Sequence, residues 1–346
     1  MVRESAGPVG AVTCGASRMS WREAWHAASL GDSGFWRTQS PGEHFRTGTG
    51  PLLAEAMFAL LQDVARDVPD APRLDVLDVG AGDGTLLGHL HDLLRDQPLQ
   101  DRVSLTGCDV RARPERLPGE VGWIEGTAPE CLGDVGEVVG LVMAHEWLDE
   151  IPCAVVEVDA AGIVREVDVD PRTGEENLAE PADAELLAWL EDYWPVRCPG
   201  ERAEVGLARD TAWAAVCGVL SRGAALAVDY GHVAEDRREA RLREGTLAAY
   251  RGGRVVPAVP DGRCGLTAHV AMDSCAAAGS ATLAGRGASV VTRLTPQRSR
   301  LAELTALDPA IPQASTAERL RRSSERRMLR DPLGMGSFLW LEHDIR

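Results

Sequence analysis

Residues 74–90, LDVLDVGAGDGTLLGHL, constrain this chain more than any other stretch. An apolar run ends in a turn with three glycines, and helical apolar spacing follows at once. That is a strand, a tight turn and a helix, the opening unit of an α/β sheet whose ligands bind at the carboxyl ends of the strands. Glycines in such a turn let the backbone pass close to a bound group. Their spacing bears on which group. A dinucleotide fingerprint reads G-x-G-x-x-G. Here the turn reads Gly80-x-Gly82-x-Gly84, and Thr85 stands where the helix begins.

Asp78 precedes that turn by two residues. The combination D-x-G-x-G-x-G after a first strand is the pattern associated with S-adenosylmethionine (SAM)-dependent methyltransferases. A carboxylate at Asp78 can assist the methionine ammonium. The next strand, VSLTGCDV (103–110), carries Asp109 near its end, where a carboxylate takes ribose hydroxyls. Nicotinamide enzymes use the same device, so the glycine spacing discriminates and Asp109 does not.

Further periodicities extend the unit into a sheet. Helical spacing covers 52–68 and 85–94, and strands are expected at 73–80, 103–110, 121–126, 138–144 and 224–231. The alternation predicts a doubly wound α/β sheet. Residues 154–205 interrupt it with a two-stranded excursion and a helix. Residues 232–270 read as a long loop, 315–331 read as a helix, and a last strand closes the chain. Near the start, Ser20 and Glu23 have the spacing of a helix cap, and 31–51 read as a loop.

Composition excludes whole classes of chemistry. There is no lysine, so all 36 basic residues are arginine. A lysine nucleophile, a Schiff base and a Walker-type phosphate loop are therefore absent. The formal net charge of −17 disfavours nucleic acid as a partner and is compatible with a cationic one. The eight cysteines form neither a C-x-x-C nor a zinc-spaced cluster, so no metal is expected and the thiols read as buried residues of a reducing compartment. No run has the length of a signal peptide or a membrane span, which predicts a cytoplasmic protein.

Three more segments carry candidate chemistry. MAHEWLDEIP (143–152) follows the fully apolar strand, and Glu146 and Asp149 would share a face if a helical turn starts there. Paired carboxylates can grip a guanidinium. VDYGH (228–232) brings Asp229 and Tyr230 to the next strand end, and LTAHV (266–270) offers His269.

Taken together, PGEHFRTGTGP, LDVGAGDGTL, AHEWLDEIPC, ALAVDYGH, GTLAAYRGGR and DGRCGLTAHV resemble the MidA family of SAM-dependent methyltransferases, which includes mitochondrial complex I assembly enzymes. The closing LRDPLGMGSFLWL resembles the tail of its actinobacterial members. The resemblance implies a class I (Rossmann-like) fold with a seven-stranded sheet, an N-terminal extension closing over the cofactor and an inserted α+β subdomain. Residues 1–19, rich in Gly, Ser and Ala, are expected to be disordered; on the resemblance, 20–51 would form the extension and 52–153 the Rossmann core. Residues 154–215 would form the insertion, and 216–346 the rest of the sheet with a substrate-side loop at 232–270. Gly80, Gly82 and Gly84 match the family's SAM turn, and Phe45 and Thr47 match a segment near the cofactor. His145 stands where many members have Asn, Gly265 where many have Asp, and TGTGP departs from the usual loop.

The resemblance further implies methylation of a protein arginine. Glu146 with Asp149 or Asp229 would hold the guanidinium, Tyr230 would line the cleft, and His269 would accept the proton. A small-molecule N- or O-methyltransferase and a non-catalytic SAM-binding assembly factor are the competing expectations. A homodimer stays open.

Overall fold

The computed structural model describes residues 18–39, 41–45, 47–305 and 315–345. Residues 1–17 of the segment expected to be disordered lie outside it. At that segment's end, Met19 already pairs with Val169 in a short strand, β1 (Met19–Ser20). Ser20 then caps α1 (Trp21–Leu30): its hydroxyl accepts the Glu23 N–H while the Glu23 carboxylate accepts the Ser20 N–H. Two one-turn helices, α2 (Phe35–Thr38) and α3 (Pro41–His44), occupy the expected loop.

The core begins with α4 (Pro51–Asp67), β2 (Leu74–Val79), α5 (Thr85–Leu94), β3 (Val103–Asp109), β4 (Gly122–Glu125) and β5 (Val138–His145). An inserted unit follows: β6 (Ala154–Val158), β7 (Val164–Val169), β8 (Glu176–Pro181), α6 (Ala184–Tyr193) and β9 (Arg202–Val205). α7 (Leu207–Gly218) and β10 (Leu220–Asp229) return to the core. Short strands β11 (Gly231–His232), β12 (Ala248–Arg251), β13 (Arg254–Val256), β14 (Gly265–Thr267) and β15 (Val270–Ala271) come next. The chain closes with α8 (Met272–Gly285), β16 (Val290–Pro296), α9 (Gln297–Leu304), α10 (Thr316–Arg330) and β17 (Leu339–Ile345).

The main sheet has seven strands in the order β16-β17-β10-β5-β2-β3-β4. β17 runs antiparallel to both neighbours, and β10 through β4 are parallel. Both faces are covered, which is why β5 is apolar along its length. Leu53, Leu61, Leu87 and Leu90 of α4 and α5 pack on one face. Trp213, Val216 and Cys275 of α7 and α8 pack on the other. Each fully buried leucine contributes roughly 1.5–3 kcal/mol of transfer free energy. Successive strands leave β2 in opposite directions, to β3 and to β5. The crevice above their carboxyl ends is therefore the expected ligand site.

The remaining elements roof that crevice. The second sheet, β1-β7-β6-β9 with β8 beside β7, buries Val155, Val167 and Val169 against Trp21 and Trp25 of α1. Here the structure differs from the sequence reading. The excursion has four strands rather than two, and α7, placed with the insertion by sequence, packs on the main sheet. The expected loop at 232–270 contains a three-stranded sheet, β13-β12-β14, whose Ala249 and Leu266 join the α1 cluster. Strands of three or four residues show too few alternations to register as a pattern. Among the described residues no helix is long and apolar enough to cross a membrane, and no cluster of side chains has the makings of a metal site.

Candidate active site

All three glycines of the turn have left-handed backbones, with φ of 73°, 63° and 71° at Gly80, Gly82 and Gly84. They serve different ends. A Cβ at Gly80 would lie 2.6 Å from the Trp147 ring, and one at Gly84 2.9 Å from Leu117. At Gly82 the nearest atom would be an Arg111 guanidinium nitrogen at 3.5 Å. The outer glycines are demanded by packing, and the middle one keeps the backbone open. The Cys108 carbonyl accepts the N–H groups of Gly80 (2.9 Å) and Ala81 (3.1 Å), so the end of β3 holds the turn. Asp109 Oδ2 accepts the Gly82 N–H at 2.8 Å, and Oδ1 accepts Arg111 N and Nε, each at 3.0 Å.

A cavity of about 1120 Å³ opens over this turn. Gly80, Gly82, Asp109, Thr47, Glu146 and Trp147 are among its walls. Among the described residues, nine carboxylates line it against three arginines, so its field favours cations. The open backbone at Gly82, the carboxylate of Asp109 at the cavity wall and the volume fit a nucleoside bearing a cationic amino-acid arm. Asp78 is placed otherwise than sequence implies. It is 2% exposed, does not line the cavity, and burial with Asp109 nearby raises its carboxyl to about 8.

Of the five predicted catalytic residues, Glu146 alone lines this cavity. It directly follows β5 with a φ of 50°, a strained value for a residue with a side chain. Its N–H donates to Val228 O (2.8 Å), and its Oε1 accepts the Gly48 N–H (3.1 Å). Burial pushes its carboxyl to about 8. The helical turn expected after it is a 3-10 turn, Leu148–Glu150.

Asp149, Asp229, Tyr230 and His269 gather in a separate cluster that does not line the cavity. The Tyr230 hydroxyl donates to Asp149 Oδ2. Asp229 accepts the N–H groups of Asp149 (3.1 Å) and Tyr230 (2.9 Å), which makes it a clamp between the end of β10 and the 3-10 turn after β5. Burial raises Asp149 to about 6 and lifts Asp229 and the Tyr230 phenol well above their ordinary values. The His269 ring lies 5.3 Å from Tyr230, its Nδ1 is buried without a partner, and burial lowers it to about 4. Arg209, 1% exposed, ties the cluster by donating to the carbonyls of Asp149 and His269, each at 2.8 Å.

Thr47 lines the cavity, whereas Phe45 stacks on Trp36 at 5.7 Å and it is Trp36 that lines the wall. Phe45 also explains Gly265: a Cβ there would run into the Phe45 ring and lie 3.0 Å from Phe35. That position belongs to an aromatic cluster rather than to His269. Sequence reasoning passed over His145, Trp147 and Arg111 as cavity residues. His145 is 9% exposed, its Nδ1 is 3.6 Å from Glu146 Oε1, and burial lowers it to about 4. Its place beside Glu146 was the available signal.

The sheet order, the glycine turn and the second-strand carboxylate define a class I, Rossmann-like methyltransferase. Residues 52–288 match the family described as "Putative S-adenosyl-L-methionine-dependent methyltransferase". The chain belongs to that family and is a SAM-dependent methyltransferase. Two crystal structures of COG1565-superfamily proteins from Burkholderia thailandensis share its fold. One, bound to S-adenosyl-homocysteine (SAH), is 22% identical with a TM-score of 0.74, over 94% of this chain and 88% of that one. The other is 23% identical with a TM-score of 0.71, over 94% and 87%. At these identities the likeness is one of fold. No curated protein matches the sequence.

Proposed function

We propose that this methyltransferase acts on a guanidino nitrogen of arginine in a protein or peptide, as a member of the narrower MidA-like group. The observation that carries the reading is Glu146: a carboxylate in the wall of an acid-lined cavity, held by the Gly48 N–H in a strained backbone conformation. Bound SAM supplies an activated methyl on a sulfonium. Gly80 and Gly82 would carry its methionine part and Asp109 its ribose. The chain's own task is to hold the acceptor and remove a proton.

A guanidinium has no free lone pair and a pKa above about 12, so it arrives as a cation. Ionised Glu146 would hold it through charge-assisted hydrogen bonds and take up the proton released on transfer. Neutral His145 stands beside Glu146 to relay that proton. Asp149, Asp229, Tyr230 and His269 would act on the substrate only through the shape of the wall, since their polar groups are spent on one another or lie outside the cavity.

The test is methyl transfer to matched peptides with arginine, lysine or citrulline at one position, read by mass spectrometry. Methyl gain on arginine alone is expected, and Glu146→Gln should lower it about a hundredfold or more with SAH affinity kept. Transfer to all three peptides, or full activity in Glu146→Gln, would contradict the reading. Inert peptides alongside turnover of a small amine would move the assignment to a small-molecule acceptor. SAH binding without turnover of any acceptor would favour the assembly-factor role.

A further inference from the structure

Cys108 and Cys131 are 23 residues apart in sequence, yet their Sγ atoms lie 2.8 Å from each other. Both sit in the wall of the cofactor cavity or directly behind it. Cys108 lines the cavity, is fully buried, precedes Asp109 and holds the glycine turn through its carbonyl. Cys131 is half-buried in the 3-10 turn Glu130–Asp134. Its N–H donates to Thr127 O (3.0 Å), and a Cβ at Gly126 would lie 2.6 Å from its own Cβ. Gly126, Thr127, Pro129 and Glu130 all line the cavity. The Gly126 N–H donates to the Asp109 carbonyl at 2.9 Å.

We propose that Cys108 and Cys131 are a redox-active dithiol whose oxidation to a disulfide opposes cofactor binding. The two thiols are chemically unequal in the way such a pair requires. One thiol donates to the other, and the shared bond, with burial adding to it, raises the Cys108 thiol while the same bond lowers that of Cys131. The half-exposed sulfur is the nucleophile and the buried one the resolving thiol.

With a peroxide as oxidant, the Cys131 thiolate attacks one peroxide oxygen, the O–O bond breaks, and the departing hydroxide takes a proton to become water. This leaves a sulfenic acid. Cys108 Sγ then attacks Cys131 Sγ, and the sulfenic oxygen leaves as a second water. Two thiols lose two electrons and the peroxide gains them. A dithiol reductant reverses the bond by exchange.

A disulfide bond is about 2 Å long, so the two sulfurs must close most of an ångström. Cys108 is fixed in β3, hydrogen-bonded between β2 and β4, and Cys131 therefore moves. Its turn draws 126–130 toward Asp109, narrowing the wall beside the carboxylate expected to hold the ribose. Coupling between two sites is reciprocal, so bound cofactor must disfavour the disulfide at equilibrium by the same factor.

The test uses full-length protein, reduced and then exposed to hydrogen peroxide, with peptide mapping and calorimetric titration with SAH. Wild type should gain a 108–131 cross-link and Cys131→Ser should not. The Kd for SAH should rise about tenfold on oxidation of wild type, return on reduction, and stay constant in Cys131→Ser. Saturating SAH should shift the dithiol–disulfide equilibrium, read in a glutathione redox buffer, toward the dithiol by a similar factor. Because Cys108→Ser alters a core position, the half-exposed Cys131→Ser carries the comparison, with its melting temperature as the folding control. Absence of the 108–131 link, a link between other cysteines instead, or a link that leaves the SAH Kd unchanged would overturn the proposal.

Discussion

Glu146 is kept by the fold at a cost, and the cost has a pH signature. Its carboxyl titrates near 8 in the folded chain against an ordinary value of 4.5. The folded state therefore holds a proton through a window in which the unfolded chain has released it. That contribution is full below pH 4.5 and is lost as pH rises through about 8. Glu146→Gln should thus melt above wild type at pH 8, with the gap closing toward pH 5 in paired thermal scans. The reaction has the opposite slope. Only ionised Glu146 can hold a guanidinium, so kcat/KM should climb as pH rises toward and through about 8 and then level. A pH-independent profile would remove Glu146 from the acceptor site. Asp109 makes a separate prediction. Asp109→Asn trades a carboxylate for an amide where Gly82 N–H and Arg111 Nε donate, and SAH affinity should fall about tenfold to a hundredfold by calorimetry.

At the scale of elements, the C-terminal helix governs the loop that holds Glu146. Gly50 begins α4 without a side-chain cap, and Glu325 of α10 supplies one by accepting the Leu52 N–H at 2.9 Å. Arg322 of α10 pairs with Glu55, and a Cβ at Gly48 would lie 2.8 Å from Leu329. Glu325→Ala should cost about 1 kcal/mol of stability, read as a lower Tm, and should lower kcat more than SAH affinity by loosening Gly48. The reach of this contact explains what sequence could and could not disclose. The α4, β2, α5 and β3 elements carry their signals within a few residues, and each lies within two residues of its expected bounds. The cavity-side positions of Asp109 and Glu146 were legible because the ends of β3 and β5 locate them. The α10 cap bridges 273 residues of sequence and leaves no local trace. Phe45 was misplaced for a similar reason: it packs between nearby Trp36 and Tyr250, a residue far from it in the sequence. Asp229 looked catalytic because strand ends carry function, and only its two accepted N–H groups reveal the clamp.

For the whole molecule, the cavity is an assembly of three parts that no single segment forms. The main sheet gives the glycine turn and Glu146, the extension gives Thr47 and Trp36, and the inserted sheet gives Glu166. The surplus of carboxylates over arginines in that space adds to a chain charge of −17. Association with a cationic peptide should therefore weaken with salt. KM should rise with ionic strength up to and beyond the physiological range while kcat changes little, and a neutral acceptor should show no such trend. We propose that this assembled cavity is a SAM site built on Gly80, Gly82 and Asp109. Its most direct test is calorimetric titration of the reduced protein with SAM, with NAD as the comparison. One SAM per chain at micromolar affinity, with no heat from NAD, is the predicted result. NAD binding, or an absence of SAM binding in folded protein, would contradict it.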